Sequence, residues 1–221
     1  MGRAGLVIDG PEAFAAAFDV SRETCERLAG YVELLNRWSK VQDLVAPSTL
    51  PDVWHRHMAD SAQLLHHAPN ARVWVDAGTG AGFPGLVLAI LSPPDSGRVF
   101  HLIESNARKC AFLRDVARRC GAPVDIHCMR IEVAATQITF PTVDVVTARA
   151  LASLDKLLGL VEPIFAPTTQ GLFLKGRGAE AEVAEARRVW HFVADFLPSM
   201  TDPDGRIVSI RQLGSLEGAG T

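Results

Sequence analysis

Tyrosine is nearly absent from this 221-residue chain. The single example, Tyr31, has Leu35 where a Tyr-x-x-x-Lys dehydrogenase pair would need lysine. The four cysteines (Cys25, Cys110, Cys120, Cys128) form no Cys-x-x-Cys pair, which argues against a zinc ribbon or a thioredoxin-type site. There is no G-x-S-x-G elbow and no GxxxxGK[ST] loop, which disfavours serine-hydrolase and NTPase chemistry. Long apolar runs are missing too: a stretch such as Leu86–Leu91 falls far short of a membrane span. Asp9, Pro11 and Glu12 interrupt the place where a signal peptide would need its apolar core. These absences lead us to expect a soluble, reduced, cytoplasmic chain with no membrane partner.

At 48% hydrophobic and 21% charged residues, the chain has the makings of one well-buried α/β domain. Its net charge of −3 argues at first against a nucleic-acid partner. Counted by segment, the picture changes. Residues 1–97 carry 7 basic against 11 acidic side chains, residues 98–130 carry 7 against 3, and residues 131–221 carry 8 against 11. An acidic molecule with one basic segment still presents a positive face, and the face decides the partner.

The first 66 residues read as helix. A short helix is expected over Glu12–Phe18, and Ser21 with Thr24 opens a longer one. Leu28, Tyr31, Val32, Leu34, Leu35 and Trp38 recur at helical spacing. Pro51-Asp52 starts another, to about Leu65. From Arg72 onward strands and helices alternate. Strands are expected at Arg72–Asp76, Arg98–Ile103, Val124–Cys128, Val143–Thr147 and Gly171–Leu174. Helices are expected at Pro84–Leu91, Ala107–Arg119, Leu154–Phe165 and about Ala179–Val189, with only a brief turn at Ile131–Ala135. Trp190–Leu197 and Arg206–Leu213 flank Asp202-Pro203-Asp204-Gly205, a hairpin-like turn. The pattern predicts a mostly parallel sheet between helices, with a closing antiparallel hairpin and an N-terminal helical cap. We divide the chain into a helical extension (1–66) and a core (67–221), with a frayed tail from Gly214 to Thr221.

In such a sheet the ligand lies at the carboxyl ends of the strands. There the chain reads Asp76-Ala-Gly78-Thr-Gly80-Ala-Gly82-Phe83-Pro84-Gly85. Gly80–Gly85 matches GxGxxG literally, so a nicotinamide site is one reading. Asp76, directly before the first glycine, would repel a pyrophosphate and suit a cationic or amino-acid-bearing ligand. The spacing also resembles the nucleoside loop of S-adenosylmethionine (SAM) enzymes. The alternative is a tight turn with an acid capping the helix. Glu104 closes the second strand, where a carboxylate accepts ribose hydroxyls; the competing reading is a solvated Glu opening a helix. Arg130, Arg149, Lys175 and Arg177 follow later strands and converge on the same rim. The basic residues between Arg108 and Arg119 are an ordinary solvated helix surface or a phosphate-binding face. His57 and Asp60 share one helix face. No metal site is expected, because further ligands at helical spacing are lacking.

Seven stretches carry a specific resemblance: LLNRWSKVQDLVAPST, WHRHMADSAQL, DAGTGAGFPGLVLAI, LIESNARKCAFLRDVARRCG, CMRIE, DVVTARALASLDKLL and FLKGRGAE. Covering about residues 31–180, they resemble the small-subunit (16S) ribosomal RNA guanine-N7 methyltransferases of the RsmG (GidB) type. Asp43 departs from the pattern, standing where the family usually has Asn. The resemblance implies a Rossmann-like class I SAM-dependent methyltransferase that acts on rRNA or the small ribosomal subunit; a single domain of this kind is expected to be a monomer. The family's SAM contacts fall here on Gly78, Phe83, Ile131, Glu132 and Arg149, and Glu104 matches the ribose-binding acid; Gly80 belongs to the same loop. Arg130, His57 and Lys175 match motif positions without an assigned role. With Arg149, the rim residues Arg130 and Lys175 are the candidates for contact with the reacting base. Two other readings stay open: an NAD(P)-dependent oxidoreductase, and a non-catalytic RNA-binding module with a dead pocket.

Overall fold

The structure, a computed structural model, describes residues 7–216. It opens with α1 (Pro11–Phe18), which has proline in its first turn, where the missing N–H costs nothing. Next comes α2 (Arg22–Trp38), capped by Ser21, whose hydroxyl accepts the Thr24 N–H at 3.2 Å. α2 buries Cys25, Leu28, Tyr31, Leu34 and Leu35, the stripe expected from their spacing.

The following helix differs from expectation. In place of one regular helix, residues Trp54–Ala59 form a π-helical turn that runs into two short pieces, α3 (Asp60–Ala62) and α4 (Leu64–His67). The Asp60 N–H reaches back five residues to the His55 carbonyl. The wider turn inserts one residue, and such turns recur at functional sites. Here it lets Trp54 and Met58 enter the core while His57 and Asp60 meet the sheet's rim.

The sheet alternates as expected: β1 (Val73–Ala77), α5 (Gly85–Leu91), β2 (Val99–Glu104), α6 (Ala107–Cys120), β3 (Val124–Cys128), α7 (Ile131–Gln137), β4 (Val145–Arg149), α8 (Leu154–Val161), β5 (Gln170–Lys175), α9 (Ala179–Ala186), β6 (Trp190–Pro198) and β7 (Arg206–Ser215). The seven strands lie in the order β3-β2-β1-β4-β5-β7-β6. Pairs among β1–β5 are parallel, and β7 runs antiparallel to both β5 and β6. The order of strand addition reverses between β1 and β4, which creates the crevice where doubly wound sheets bind ligands.

Strict alternation separates two cores. Trp74, Phe100, Leu102, Val145, Leu172 and Ile207 face α1–α6, whereas Val75, Ile103, Val146, Phe173 and Val208 face α7, α8 and α9. The N-terminal helices therefore share one continuous apolar layer with the sheet.

Three boundaries differ from expectation. β4 starts at Val145, although the Asp144 N–H already donates to the Val73 carbonyl and its carbonyl accepts from Gln170; its carboxylate also accepts the N–H groups of Arg72 and Val73 at 2.7 and 2.9 Å. Ile131–Gln137 is a helix rather than a turn, since Ile131 and Ala134 both bury one face of it. Gly214 and Ser215 are not frayed; they pair with His191 and Trp190. The rest of the expected frayed tail, from residue 217, and the first six residues lie outside the described residues. All four cysteines are free thiols.

Candidate functional site

A cavity of about 1070 Å³ opens at the carboxyl ends of the parallel strands. Its floor is the glycine loop, Gly78 to Phe83, together with Glu104 and Ile131. Its far walls come from Leu44 to Thr49, from the π-helical turn, and from the β6–β7 loop at Ser199 to Arg206.

The loop's glycines do different jobs. Gly80 lies in the left-handed region at φ +59, and a Cβ there would meet nothing closer than 3.9 Å. Gly85, at the start of α5, would drive a Cβ to 2.2 Å from Leu102 Cδ2. The first lets a ligand approach the backbone; the second lets a helix pack on a strand.

Asp76 corrects the reading made from sequence. Its carboxylate is only 2% exposed and does not line the cavity. It sits on the Trp74 face of β1, beneath α5, where it accepts the Gly85 N–H at 2.9 Å and the Thr147 hydroxyl at 2.8 Å. Burial pushes its pKa up, against the nearby Thr79 hydroxyl and the hydrogen bonds from Gly85 and Thr147 that pull it down. The acid caps the helix and holds the loop to β4; no cationic ligand reaches it.

Glu104 reaches the cavity. Positioned at the last residue of β2, its Oε2 accepts the Gly80 N–H at 3.0 Å and its Oε1 the Asn106 N–H at 2.7 Å. A carboxylate has about four lone-pair sites, so two acceptor positions stay free for a ligand diol. Alongside it, Ile131 gives an apolar wall, and Glu132, the second residue of α7, is exposed.

Arg149 is the last residue of β4 and the centre of a network. Its guanidinium donates to the Arg56 carbonyl at 3.0 Å and to His57 Nδ1 at 2.8 Å, and lies 3.5 Å from Asp60 Oδ2. It also stands 4.9 Å over the Phe83 ring. Since arginine only donates, His57 Nδ1 accepts, and its Nε2–H donates to Thr49 Oγ1 at 2.8 Å. The Thr49 hydroxyl in turn donates to the Ala46 carbonyl at 2.7 Å. Burial and the two neighbouring arginines hold His57 neutral, with its pKa pushed down to about 3. Burial pushes Asp60 up and Arg149 down, and each resists the other's shift. Asp60 also accepts from Thr201 Oγ1 at 2.8 Å, while Gln63 Oε1 accepts the Met200 N–H at 2.8 Å. The β6–β7 loop is thereby strapped to the N-terminal layer.

The remaining rim residues separate. Lys175 Nζ is bound to Glu182 at 2.8 Å and to the Ala152 carbonyl at 2.7 Å. Arg130 lines the cavity, exposed and with no carboxylate partner among the described residues. Arg177 does not converge with them: it is exposed, outside the lining, and paired with Asp204 at 2.5 Å. Among the described residues no group of three or more His, Cys, Asp or Glu could hold a metal ion.

A family model described as rRNA small subunit methyltransferase G (GidB) matches residues 24–207. The chain belongs to the GidB family. Proteins called "Ribosomal RNA small subunit methyltransferase G" include one from Parvibaculum lavamentivorans that is 50% identical over 208 residues, covering 94% of this chain and 91% of the relative. Another, from Methylobacterium sp. (strain 4-46), is 53% identical over 197 residues, covering 88% and 91%. The fold is similar to an O-methyltransferase from Bacillus cereus solved with SAH (TM-score 0.59, 15% identity, 91% of this chain and 96% of that one). It is equally similar to a putative O-methyltransferase from Klebsiella pneumoniae (TM-score 0.60, 12% identity, 91% and 95%). This is the class I, Rossmann-like methyltransferase architecture expected from the sequence.

The GidB residues singled out from sequence (Gly78, Gly80, Phe83, Glu104, Ile131, Glu132, Arg149, Arg130, Lys175 and His57) all line one cavity. Sequence reasoning missed Thr49, Tyr31 and Thr147. Tyr31 stacks on Phe83 at 5.3 Å and donates its hydroxyl to the Ala81 carbonyl. Burial holds that phenol well above its ordinary pKa. As the sole tyrosine it was read only as one more apolar residue on α2. Thr49 and Thr147 carry no local signal at all.

Proposed function

We propose that this GidB-family chain is a SAM-dependent methyltransferase that methylates N7 of a guanine in small-subunit (16S) ribosomal RNA. The observation that carries the reading is Glu104, at a strand end beside the glycine loop, two acceptor positions open to a cavity large enough for a nucleoside and a base. The residues present fit SAM. Glu104 takes the ribose hydroxyls, Ile131 packs beside the adenine with Glu132 next to it, and Gly78 and Gly80 let the backbone approach. Phe83, wedged between Tyr31 and the Arg149 guanidinium, gives the loop a rigid wall. When bound, SAM supplies an electrophilic methyl group on a positively charged sulfur.

Guanine N7 carries a lone pair and no proton, so accepting the methyl group would need no general base from the protein. The transfer would leave positive charge on the base. What the protein must supply is alignment and a site tolerant of that charge. The site matches this economy. His57, its one buried imidazole, is neutral with both nitrogens occupied. Because N7 lies on the deep major-groove edge of A-form RNA, the target guanine belongs in a loop or is splayed out.

No helix of the described residues is long and apolar enough to cross a membrane. We take the protein to act in the cytoplasm as a monomer, residues 1–66 serving as a helical extension of a core over 67–221. The test is incubation with labelled SAM and either protein-free small-subunit rRNA or assembled subunits, followed by nucleoside analysis. 7-Methylguanosine is expected; absence of transfer to every RNA form overturns the reading.

A further inference from the structure

The cations lining the cavity fall into two sets. Arg149, Lys175 and Arg206 are tied to Asp60, Glu182 and Glu180, at 3.5, 2.8 and 3.8 Å. They hold walls together. Arg56, Lys109 and Arg130 also line the cavity, yet none has a carboxylate within ion-pair distance among the described residues. They come from three separate elements: the π-helical turn, the first turn of α6, and the cap residue just before α7.

Five acids line the same cavity: Asp60 and Glu182 pair with Arg149 and Lys175, Glu104 accepts two backbone N–H groups, and Glu132 and Asp202 make no ion pair with the second set among the described residues. Asp60 also feels the charge of Arg56, without an ion-pair contact between them. Elsewhere some cations are ion-paired, as in Arg22–Glu26, Arg118–Asp115, Arg188–Glu185 and Arg211–Asp195, and others, such as Arg37, Lys40 and Arg72, have no carboxylate partner among the described residues. What sets Arg56, Lys109 and Arg130 apart is their place: unpaired cations from three elements around one open cavity are the arrangement expected of an anion-binding rim. It continues outward along α6, where Arg108 and Arg114 are exposed and have no carboxylate partner among the described residues.

We propose that Arg56, Lys109 and Arg130 grip the backbone phosphates of the RNA strand that carries the target guanine, on both sides of the cavity mouth. The assignment rests on the function proposed above and adds to it the residues that hold the strand. A guanine lifted from its stack leaves flanking phosphates close to the rim, and cations on opposite walls fix both flanks at once. The tied cations contribute little to RNA affinity, because their partners would have to be displaced.

The test measures binding of a protein-free small-subunit rRNA transcript across a salt series, without turnover. Wild type is compared with R56A, K109A, R130A, the triple variant, the charge-conserving R56K and R130K, and R188A on the far side. Each phosphate contact removed lowers the slope of log K against log salt by about 0.7 to 1. The expected result is a drop of about 2 to 3 for the triple variant, and wild-type slopes for R188A and the lysine variants. S-adenosylhomocysteine binding by calorimetry on the same samples establishes that the triple variant is folded. A folded triple variant with the wild-type slope overturns the proposal, as does a loss shared equally by R188A. Weakened binding confined to assembled subunits also overturns it, because the partner would then be ribosomal protein. None of these outcomes depends on methyl transfer, so failure of the rim and failure of the proposed activity are told apart.

Discussion

The Arg149 guanidinium donates a 2.8 Å hydrogen bond to Nδ1 of His57, and that single bond fixes the tautomer of the ring. From it follows a one-way chain of donors, Arg149 to His57 to Thr49 to the Ala46 carbonyl, joining the end of β4 to the segment before the π-helical turn. Protonating His57 at Nδ1 would break the first link, since a guanidinium cannot accept, and would place a charge beside two arginines.

His57 therefore makes stability depend on pH. Its pKa is about 3 in the folded protein against the ordinary 6.5. Between those values the unfolded chain binds one more proton, so the contribution is complete above pH 6.5 and is lost as pH falls toward 3. Guanidinium unfolding of wild type and H57A at several values from pH 6 down to pH 4 checks this. The H57A slope of stability against pH should be shallower by about 1.4 kcal/mol per unit. Coincident slopes would mean that His57 titrates normally.

Asp76→Ala leaves the Gly85 N–H and the Thr147 hydroxyl buried without their acceptor. We expect a loss of about 1–3 kcal/mol for each orphaned group. Asp76→Asn keeps one acceptor oxygen and should lose less. Chemical denaturation gives both numbers; equal stability of D76A and wild type would remove Asp76 from its place under the loop.

Two glycine substitutions should separate folding from binding. Gly85→Ala forces its methyl into Leu102 and Asp76, so the loss appears in unfolding free energy. Gly80→Ala costs only the left-handed strain of roughly 1–2 kcal/mol, and its methyl points into open space. The loss in G80A should therefore appear in calorimetric affinity for S-adenosylhomocysteine. The reverse pattern would exchange the two roles.

Glu104→Ala removes a charged acceptor from the cavity. A hydrogen bond to a charged group contributes about 1.5–3 kcal/mol, so cofactor affinity should fall about tenfold or more. An unchanged dissociation constant would place the ribose elsewhere.

Much of this architecture was legible because its signals are local. Ser21 and Thr24 announce a helix start, the glycines mark the loop, and the alternation around Val75, Leu102 and Val145 is that of a sheet covered on both faces. Partnerships between distant segments were not legible. Nothing near Asp76 says that Thr147 will claim it, and a carboxylate before a glycine loop reads equally well as ligand or cap. The π-helical turn escaped for a related reason. Residues 54–59 have an acceptable pattern for an ordinary helix, and only the tertiary pull on His57 and Asp60 selects the wider one. Arg177 shows the opposite error: its place after a strand suggested the rim, but Asp204 across the hairpin turn captures it.

The place of β7 has a consequence for the order in which the protein comes into being during synthesis. The seventh strand is inserted between the fifth and the sixth, and the loop before it supplies Ser199 to Arg206 of the cavity wall. A nascent chain that already holds the glycine loop, Glu104 and Arg149 still has β5 bare along one side and the mouth missing a flank. The reaction chamber closes only when translation has passed β7, so a premature stop in that strand silences the protein with all its cofactor-binding residues already made.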